Sequence, residues 1–151
     1  MSPKVLVSYP SKVIPRPGVS RRSSYQVAAS LWASFRYAWA GVQYAFTTQR
    51  NFRIHTLVGA IAITLGSTLQ LTLAELAIIV VTTALVMAME LMNTALESVV
   101  DLTIDTHYHE LAKVAKDCAA GAVFICAMVA LVVAALLLVP PVLKLFLALM
   151  P

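Results

Sequence analysis

Three long apolar blocks, separated by short polar segments, dominate the chain after its first third. They cover residues 55–73, 76–100 and 119–139, and charged side chains are few within them. At a rise of about 1.5 Å per residue, a helix of about 20 residues crosses a hydrocarbon core of about 30 Å. The pattern therefore predicts an all-α membrane protein with three transmembrane helices, the third ending at the paired prolines Pro140 and Pro141.

A weaker periodicity precedes the first block. Over residues 25–50, apolar and aromatic side chains recur at helical spacing among polar ones, which is typical of an amphipathic helix lying on the membrane surface. Residues 1–24 combine proline, serine and basic side chains without such spacing. We interpret this segment as a disordered tail and residues 25–151 as the folded membrane domain.

The charges are divided between the two parts of the chain. Eight of the eleven Lys and Arg residues lie within residues 1–53, and all seven acidic residues lie from Glu75 onward. Basic side chains before the first span predict that this end stays in the cytoplasm, against anionic lipid headgroups. The basic side chains of the tail stand mostly among prolines and serines, with Tyr9 as its one aromatic residue, which argues against a nucleic-acid partner. We therefore expect a multi-pass protein whose N-terminus and polar segment 101–117 face the cytoplasm.

A polar stripe runs along the second predicted span. Its members are spaced at i, i+3, i+7 and i+11 and are Glu90, Asn93, Glu97 and Asp101. At about 100° per residue, they lie within about 80° of one another around the helix. Because a carboxylate in hydrocarbon is costly unless it is paired or bound to a metal, charged residues in spans indicate function. The stripe therefore predicts a functional site that extends from the membrane interior to its cytoplasmic surface.

Two classes of function fit this stripe. In phosphoryl transfer to a membrane alcohol, the deeper carboxylate accepts the hydroxyl proton and the shallower ones hold Mg²⁺, which prefers oxygen ligands. Lys116 and Asp117, at the predicted start of the third span, would then meet the phosphates. Alternatively, a non-enzymatic membrane subunit would bind a cation or a partner helix through the stripe. The chain has no Walker-type phosphate loop, so these patterns alone do not establish a kinase.

Three segments resemble those of one enzyme family. They are NFRIH at 51–55, MELMNTALESVVD at 89–101 and HYHELAKVAKDCAAGAV at 107–123. The sequence is similar here to the prokaryotic diacylglycerol kinase and undecaprenol kinase family. The resemblance implies a homotrimer in the bacterial inner membrane, with active sites shared between neighbouring subunits. It also implies that ATP and Mg²⁺ are used to phosphorylate a membrane lipid, either diacylglycerol to phosphatidic acid or undecaprenol to undecaprenyl phosphate.

The resemblance further implies roles for individual residues. Glu90 matches the base that activates the lipid hydroxyl, Asn93 a polar partner near the transferred phosphate, and Glu97 a magnesium ligand within the ATP site. The other implied ATP-binding residues are Tyr37, which matches a tyrosine packing on the adenine, and Asp101, His107, Tyr108, His109, Lys116 and Asp117. Gln49 stands where many members carry a glutamate as a second metal ligand, and it offers an amide oxygen without the charge.

Overall fold

The structure, a computed structural model, describes residues 31–105 and 107–150. Within these residues the chain forms four helices and no strand, which confirms the all-α prediction. The helices are α1 (Leu31–Thr48), α2 (Arg50–Thr68), α3 (Leu73–Ile104) and α4 (Glu110–Leu149). Residues 31–38 belong to one compact unit, and the other described residues belong to a second. The predicted tail and the first part of the predicted surface helix lie outside the described residues.

Two of the described helices, α3 and α4, are long and apolar enough to cross a membrane. They contain the second and third predicted spans. Helix α2, which contains most of the first predicted span, has 19 residues. It carries Arg50, Arg53 and His55 in its first two turns, and these residues lower its average hydropathy. A crossing by α2 therefore stays a prediction.

Helix α4 extends beyond its predicted span at both ends. It begins at Glu110 and continues through Pro140 and Pro141 to Leu149. The prediction that the paired prolines stop the helix is therefore wrong. Each proline removes one backbone hydrogen bond, but most residues after them are good helix formers such as leucine, alanine and lysine. In lipid, a chain that left the helix would leave all of its backbone groups unpaired rather than two.

Helix α3 is the central element, because it packs along both α2 and α4. A Cβ atom added at Gly59 of α2 would lie 2.2 Å from Cγ2 of Thr83 on α3, so the two backbones approach closely at this glycine. Ile79 and Val86 are buried at the same interface region of α3. Many other large apolar side chains of α3 and α4 are exposed, as expected for helices that face lipid.

The turn between α2 and α3 fixes their antiparallel arrangement. Helix α2 ends in a Schellman motif, in which the Leu71 N–H donates to the Gly66 carbonyl at 3.0 Å and Gln70 adopts a left-handed φ of 55°. Helix α3 begins with a capping box: the Thr72 hydroxyl accepts from the Glu75 N–H, and the Glu75 carboxylate accepts from the Thr72 N–H. This turn therefore sets the register of the two helices.

Candidate active site

A polar pocket lies between α2, α3 and α4 at the deeper half of the predicted acidic stripe. It has a volume of about 200 Å³ and is lined by Asn51, His55, Glu90, Asn93, Ala120, Val123, Phe124 and Ala127. The polar side chains come from α2 and α3, whereas α4 contributes small and apolar ones. Glu90 and Asn93, two of the predicted site residues, thus share one pocket.

Glu90 is almost completely buried, with 3% of its surface exposed. The nearest charged or titratable contact is His55, whose Nε2 lies 3.3 Å from Glu90 Oε1 without the alignment of a hydrogen bond. Glu90 Oε1 and Asn93 Oδ1 both lack a hydrogen-bond partner among the described residues. A buried acceptor without a partner costs about 1–3 kcal/mol, so two of them in one pocket indicate a place for a donor group or a cation.

The rest of the stripe leads from this pocket towards water. Asn93 Nδ2 donates a hydrogen bond to Glu97 Oε1 at 3.0 Å, which leaves Asn93 Oδ1 as the unpaired atom of the amide. Exposure increases along the helix, because Glu90 is buried, Glu97 is half-buried and Asp101 is exposed. The four residues therefore lie along α3 with exposure that increases from Glu90 to Asp101, and the predicted gradient in membrane depth stays a prediction.

The side-chain oxygen atoms of Glu97 and Asn93 suit a magnesium ion whose remaining ligands come from a bound phosphate. Mg²⁺ is commonly held by one or two carboxylates, with substrate phosphates and water completing the coordination. Glu97 supplies a carboxylate, and Asn93 Oδ1 supplies an unpaired oxygen one turn away. In the part of the chain that the structure describes, no group of three or more His, Cys, Asp or Glu residues is arranged to hold a metal. Glu97 and Asn93 therefore fit an ion whose other ligands come from a bound phosphate and water.

Two ion pairs lie beyond the shallow end of the stripe. Lys116 Nζ contacts Asp101 Oδ1 at 2.5 Å and so joins α4 to the end of α3. Lys113 Nζ contacts Asp117 Oδ2 at 2.5 Å, an i, i+4 pair within α4. Lys116 and Asp117 are therefore paired with different partners. The half-exposed Lys116 is the lysine that the structure brings to the acidic stripe.

The start of α4 differs from the prediction that Lys116 and Asp117 begin a helix. Because α4 begins at Glu110, both residues lie in its second turn, away from the free N–H groups of the helix end. His109 caps the helix instead, since its Nδ1 accepts a hydrogen bond from the Leu111 N–H at 3.2 Å. The prediction of a helix N-terminus at Lys116 is wrong because this cap allows the helix to begin earlier.

The remaining predicted residues are not among those that line the pocket. His107 and Tyr108 are exposed in the segment before α4. Tyr37 is exposed in the first compact unit, where the Arg36 guanidinium lies 5.5 Å from the centre of its ring. Gln49 occupies the N-cap position of α2 with an extended backbone and makes no side-chain cap bond. Their roles in binding ATP or metal therefore stay predictions.

Two pocket residues, Asn51 and His55, were assigned no role from the sequence. They lie at i and i+4 on α2, so they share one face of the helix, and both line the pocket. The signal was present in NFRIH, where two polar residues stand one turn apart at the edge of an apolar block. It was not decisive, because the sequence does not show which α3 residues this face meets.

An apolar cleft adjoins the polar pocket and shares His55 and Ala127 with it. The cleft has a volume of about 250 Å³ and extends along all three helices away from the charged end of the stripe. Many of its lining side chains are small, including Gly59, Ala130 and Ala134. A hydrocarbon chain whose polar end lies in the pocket would find an apolar path here.

The described residues thus form an all-helical fold with two helices suited to cross a membrane, and a buried acidic centre lies between an apolar cleft and a charged rim. Comparison with known families then gives the identification. The family model described as "Prokaryotic diacylglycerol kinase" matches residues 36–138, which is more than half of the chain. The chain belongs to this family, so it is a kinase, and the alternative of a non-enzymatic subunit is set aside.

The relatives of this chain are named as kinases of two different lipids. A diacylglycerol kinase of Synechocystis sp. is 57% identical over 133 residues, covering 86% of this chain and 76% of that protein. An undecaprenol kinase of Bacillus subtilis is 37% identical over 107 residues, covering 71% of this chain and 86% of that protein. The Escherichia coli K12 diacylglycerol kinase is 32% identical over 102 residues, covering 68% of this chain and 83% of that protein.

Proposed function

We propose that the chain is an ATP- and Mg²⁺-dependent lipid kinase that phosphorylates the primary hydroxyl of diacylglycerol or of undecaprenol. The observation that carries this proposal is the unpaired oxygen of buried Glu90 in a pocket that continues into an apolar cleft. A carboxylate in this position is suited to a substrate with a hydroxyl at one end and hydrocarbon at the other. Relatives named for each of the two lipids support both substrates.

In the proposed reaction, Glu90 acts as the general base. The lipid hydroxyl lies in the polar pocket, with its hydrocarbon chain in the cleft. Glu90 accepts the hydroxyl proton as the hydroxyl oxygen attacks the γ-phosphorus of ATP, and ADP leaves. Asn93 lies beside Glu90 and orients the transferred phosphoryl group through its amide.

The shallow end of the stripe serves ATP in this proposal. Mg²⁺, held through Glu97, would neutralise the charge of the phosphates. Asp101 positions Lys116, whose ammonium group pairs with a phosphate oxygen. His107, Tyr108, His109 and Asp117 remain proposed contacts of the nucleotide, Tyr37 remains the proposed partner of the adenine, and Gln49 remains a candidate ligand for a second ion. We propose that these residues complete the sites of a homotrimer, in which neighbouring chains share each site.

The same proposal includes three membrane crossings with the site on the cytoplasmic side. The 19 residues of α2 correspond to a length of about 28 Å, close to the thickness of the hydrocarbon core. Arg50 and Arg53 at its start favour a cytoplasmic position for that end. The short turn to α3 then returns the chain, so that Asp101 and the segment before α4 lie on the cytoplasmic side. Residues 25–151 would form the kinase domain, and anionic headgroups would hold the basic tail of residues 1–24.

The test is transfer of label from γ-labelled ATP to lipid by the full-length protein in detergent or bilayers. Diacylglycerol and undecaprenol are assayed side by side with Mg²⁺. Glu90→Gln should lower kcat by about 10²–10⁴-fold, the usual contribution of general acid–base groups. Glu110→Gln, at an exposed carboxylate at the start of α4, is the matched control and should retain activity.

Each result bears on a different part of the proposal. If the wild type labelled neither lipid over a range of Mg²⁺ concentrations, the lipid-kinase assignment would fail. If Glu90→Gln labelled lipid as fast as the wild type, Glu90 would not be the base. The lipid with the higher kcat/KM is the preferred substrate.

A further inference from the structure

The packing of the three helices buries Glu90, and the titratable side chain that contacts it, His55, is more exposed. The Glu90 side chain is 4% exposed, whereas that of His55 is 26% exposed. His55 Nε2 lies 3.3 Å from Glu90 Oε1, and both residues line the polar pocket. His55 therefore contacts the buried carboxylate on one side and is open to the surroundings on the other.

The proposed reaction leaves a proton on Glu90 after each turnover. The O–H bond of the lipid breaks, its oxygen forms a bond to the γ-phosphorus, and the bond from that phosphorus to the β–γ bridging oxygen breaks. The electron pair leaves with ADP, and the proton goes to Glu90. A second turnover requires the carboxylate to lose that proton, although the group itself hardly contacts water.

We propose that His55 receives this proton from Glu90 and releases it to water, restoring the Glu90 carboxylate between turnovers. The inference rests on the proposed function. The O–H bond on Glu90 breaks as an N–H bond forms at Nε2 of neutral His55, and the imidazolium then gives its proton to solvent. An imidazole is suited to this transfer because it gains and loses protons near neutral pH.

The structure holds His55 where this transfer is possible. The 3.3 Å separation exceeds a typical hydrogen-bond distance of about 2.8 Å only slightly, so a small side-chain rotation aligns the two atoms. Gly59 lies one turn further along α2, where the absence of a side chain lets α2 approach Thr83 of α3. This close approach keeps His55 beside Glu90. His55 therefore acts through Glu90 as a positioning and proton-accepting residue.

The test compares two variants of the full-length protein in the lipid-labelling assay. His55→Gln keeps a side chain that donates hydrogen bonds but cannot carry a proton, and His55→Ala leaves space for a small molecule. Both should lower kcat by about 100-fold, with the KM values for lipid and ATP little changed. Added imidazole should restore turnover of His55→Ala in proportion to its concentration. Pyrazole, which has nearly the same shape but is a much weaker base, should not.

The control is Glu90→Gln, which imidazole should not rescue because the base itself is missing. Full kcat in His55→Gln, or equal rescue of His55→Ala by pyrazole and imidazole, would overturn the inference in favour of a purely structural role. A wild type without lipid-kinase activity would instead overturn the proposed function. The two failures are distinguishable because the first occurs only with an active wild type.

Discussion

The close approach of α2 to α3 at Gly59 makes a quantitative prediction. In Gly59→Ala, the new Cβ would lie 2.2 Å from Thr83 Cγ2 and 3.4 Å from Thr83 Cβ and Oγ1. The Thr83 methyl group must therefore move. The χ1 angle of Thr83 has few alternatives, because this residue is β-branched and lies in a helix. The other two Thr83 atoms are at ordinary contact distance, so the overlap is confined to the methyl group. It is relieved by a strained χ1 rotation of Thr83 or by separation of the two helices.

The expected magnitude follows from two opposed effects. Overpacking a tight interface costs about 1–3 kcal/mol, and a contact as short as this one belongs at the upper end. Replacing glycine by alanine within a helix returns up to about 1 kcal/mol. We therefore expect Gly59→Ala to lower the free energy of unfolding by about 2 kcal/mol. Gly121→Ala is the matched control, since nothing lies within 4 Å of its new Cβ and it should be neutral or slightly stabilising.

The assay is unfolding in detergent, by heat or by titration with a denaturing detergent, with helical content as the readout. Thr83→Ala is then combined with Gly59→Ala. It removes the atom that causes the overlap, so the double variant should recover about 1–2 kcal/mol relative to the sum of the single changes. Equal stabilities of Gly59→Ala and Gly121→Ala, or additive effects in the double variant, would refute the close approach. Activity should fall with stability in Gly59→Ala, because the same approach holds His55 beside Glu90.

Two further predictions concern the ends of the site. Lys116→Gln should lower kcat/KM for ATP by about 10–100-fold, which corresponds to the loss of a hydrogen bond to a charged group. Lys113→Gln breaks only the ion pair within α4 and should have little effect. Equal losses for the two variants in steady-state assays would contradict the role of Lys116. Ala130→Phe should fill the apolar cleft and raise the KM for lipid severalfold without changing the KM for ATP. Ala135→Phe, at an exposed position outside the cleft lining, should leave both KM values unchanged. Equal KM values for lipid in the two variants would argue against the cleft as the hydrocarbon site.

The sequence was sufficient to predict the features that depend on one helix alone. Glu90, Asn93, Glu97 and Asp101 share a face because helical geometry fixes the angle between residues at known spacing. The increase in their exposure from Glu90 to Asp101 arises instead from the packing of α3 against α2 and α4. The apolar character of the second and third blocks likewise predicts α3 and α4, because length and hydropathy are local properties.

Contacts between helices could not be predicted in the same way. His55 meets Glu90 only because the turn after α2 and the glycine at position 59 set the register and distance of two helices. Neither the sequence of the turn nor the glycine at position 59 reveals which α3 residue will face His55. The pairing of Lys116 with Asp101 has the same origin, because the sequence also offers Asp105, Glu110 and Asp117 as acidic neighbours.

The errors at the ends of α4 show where local rules give way to their surroundings. Paired prolines stop helices in water because solvent can bond to the backbone of an unwound chain. Pro140 and Pro141 are nevertheless retained within α4, because most of the residues that follow them are good helix formers. At the other end, the low hydropathy of the residues from Glu110 to Asp117 predicts a loop. A helix need not end where its apolar residues do, and the cap from His109 allows two further turns that carry Lys116 to Asp101.

This extension of α4 joins the two halves of the proposed chemistry. If α4 began at the boundary of its apolar block, Lys116 would lie at the helix terminus. A bound phosphate would then meet only backbone N–H groups and an unpaired lysine ammonium. In the structure, Lys116 lies within the continuous helix α4, and its side chain pairs with Asp101, the last member of the stripe that begins at Glu90. The proposed base for the lipid therefore lies on α3, and the proposed lysine for ATP, on α4, is paired with the same helix. A change in the register of α3 would displace both together, whereas a change in α2 would displace only His55 and the lipid side of the site.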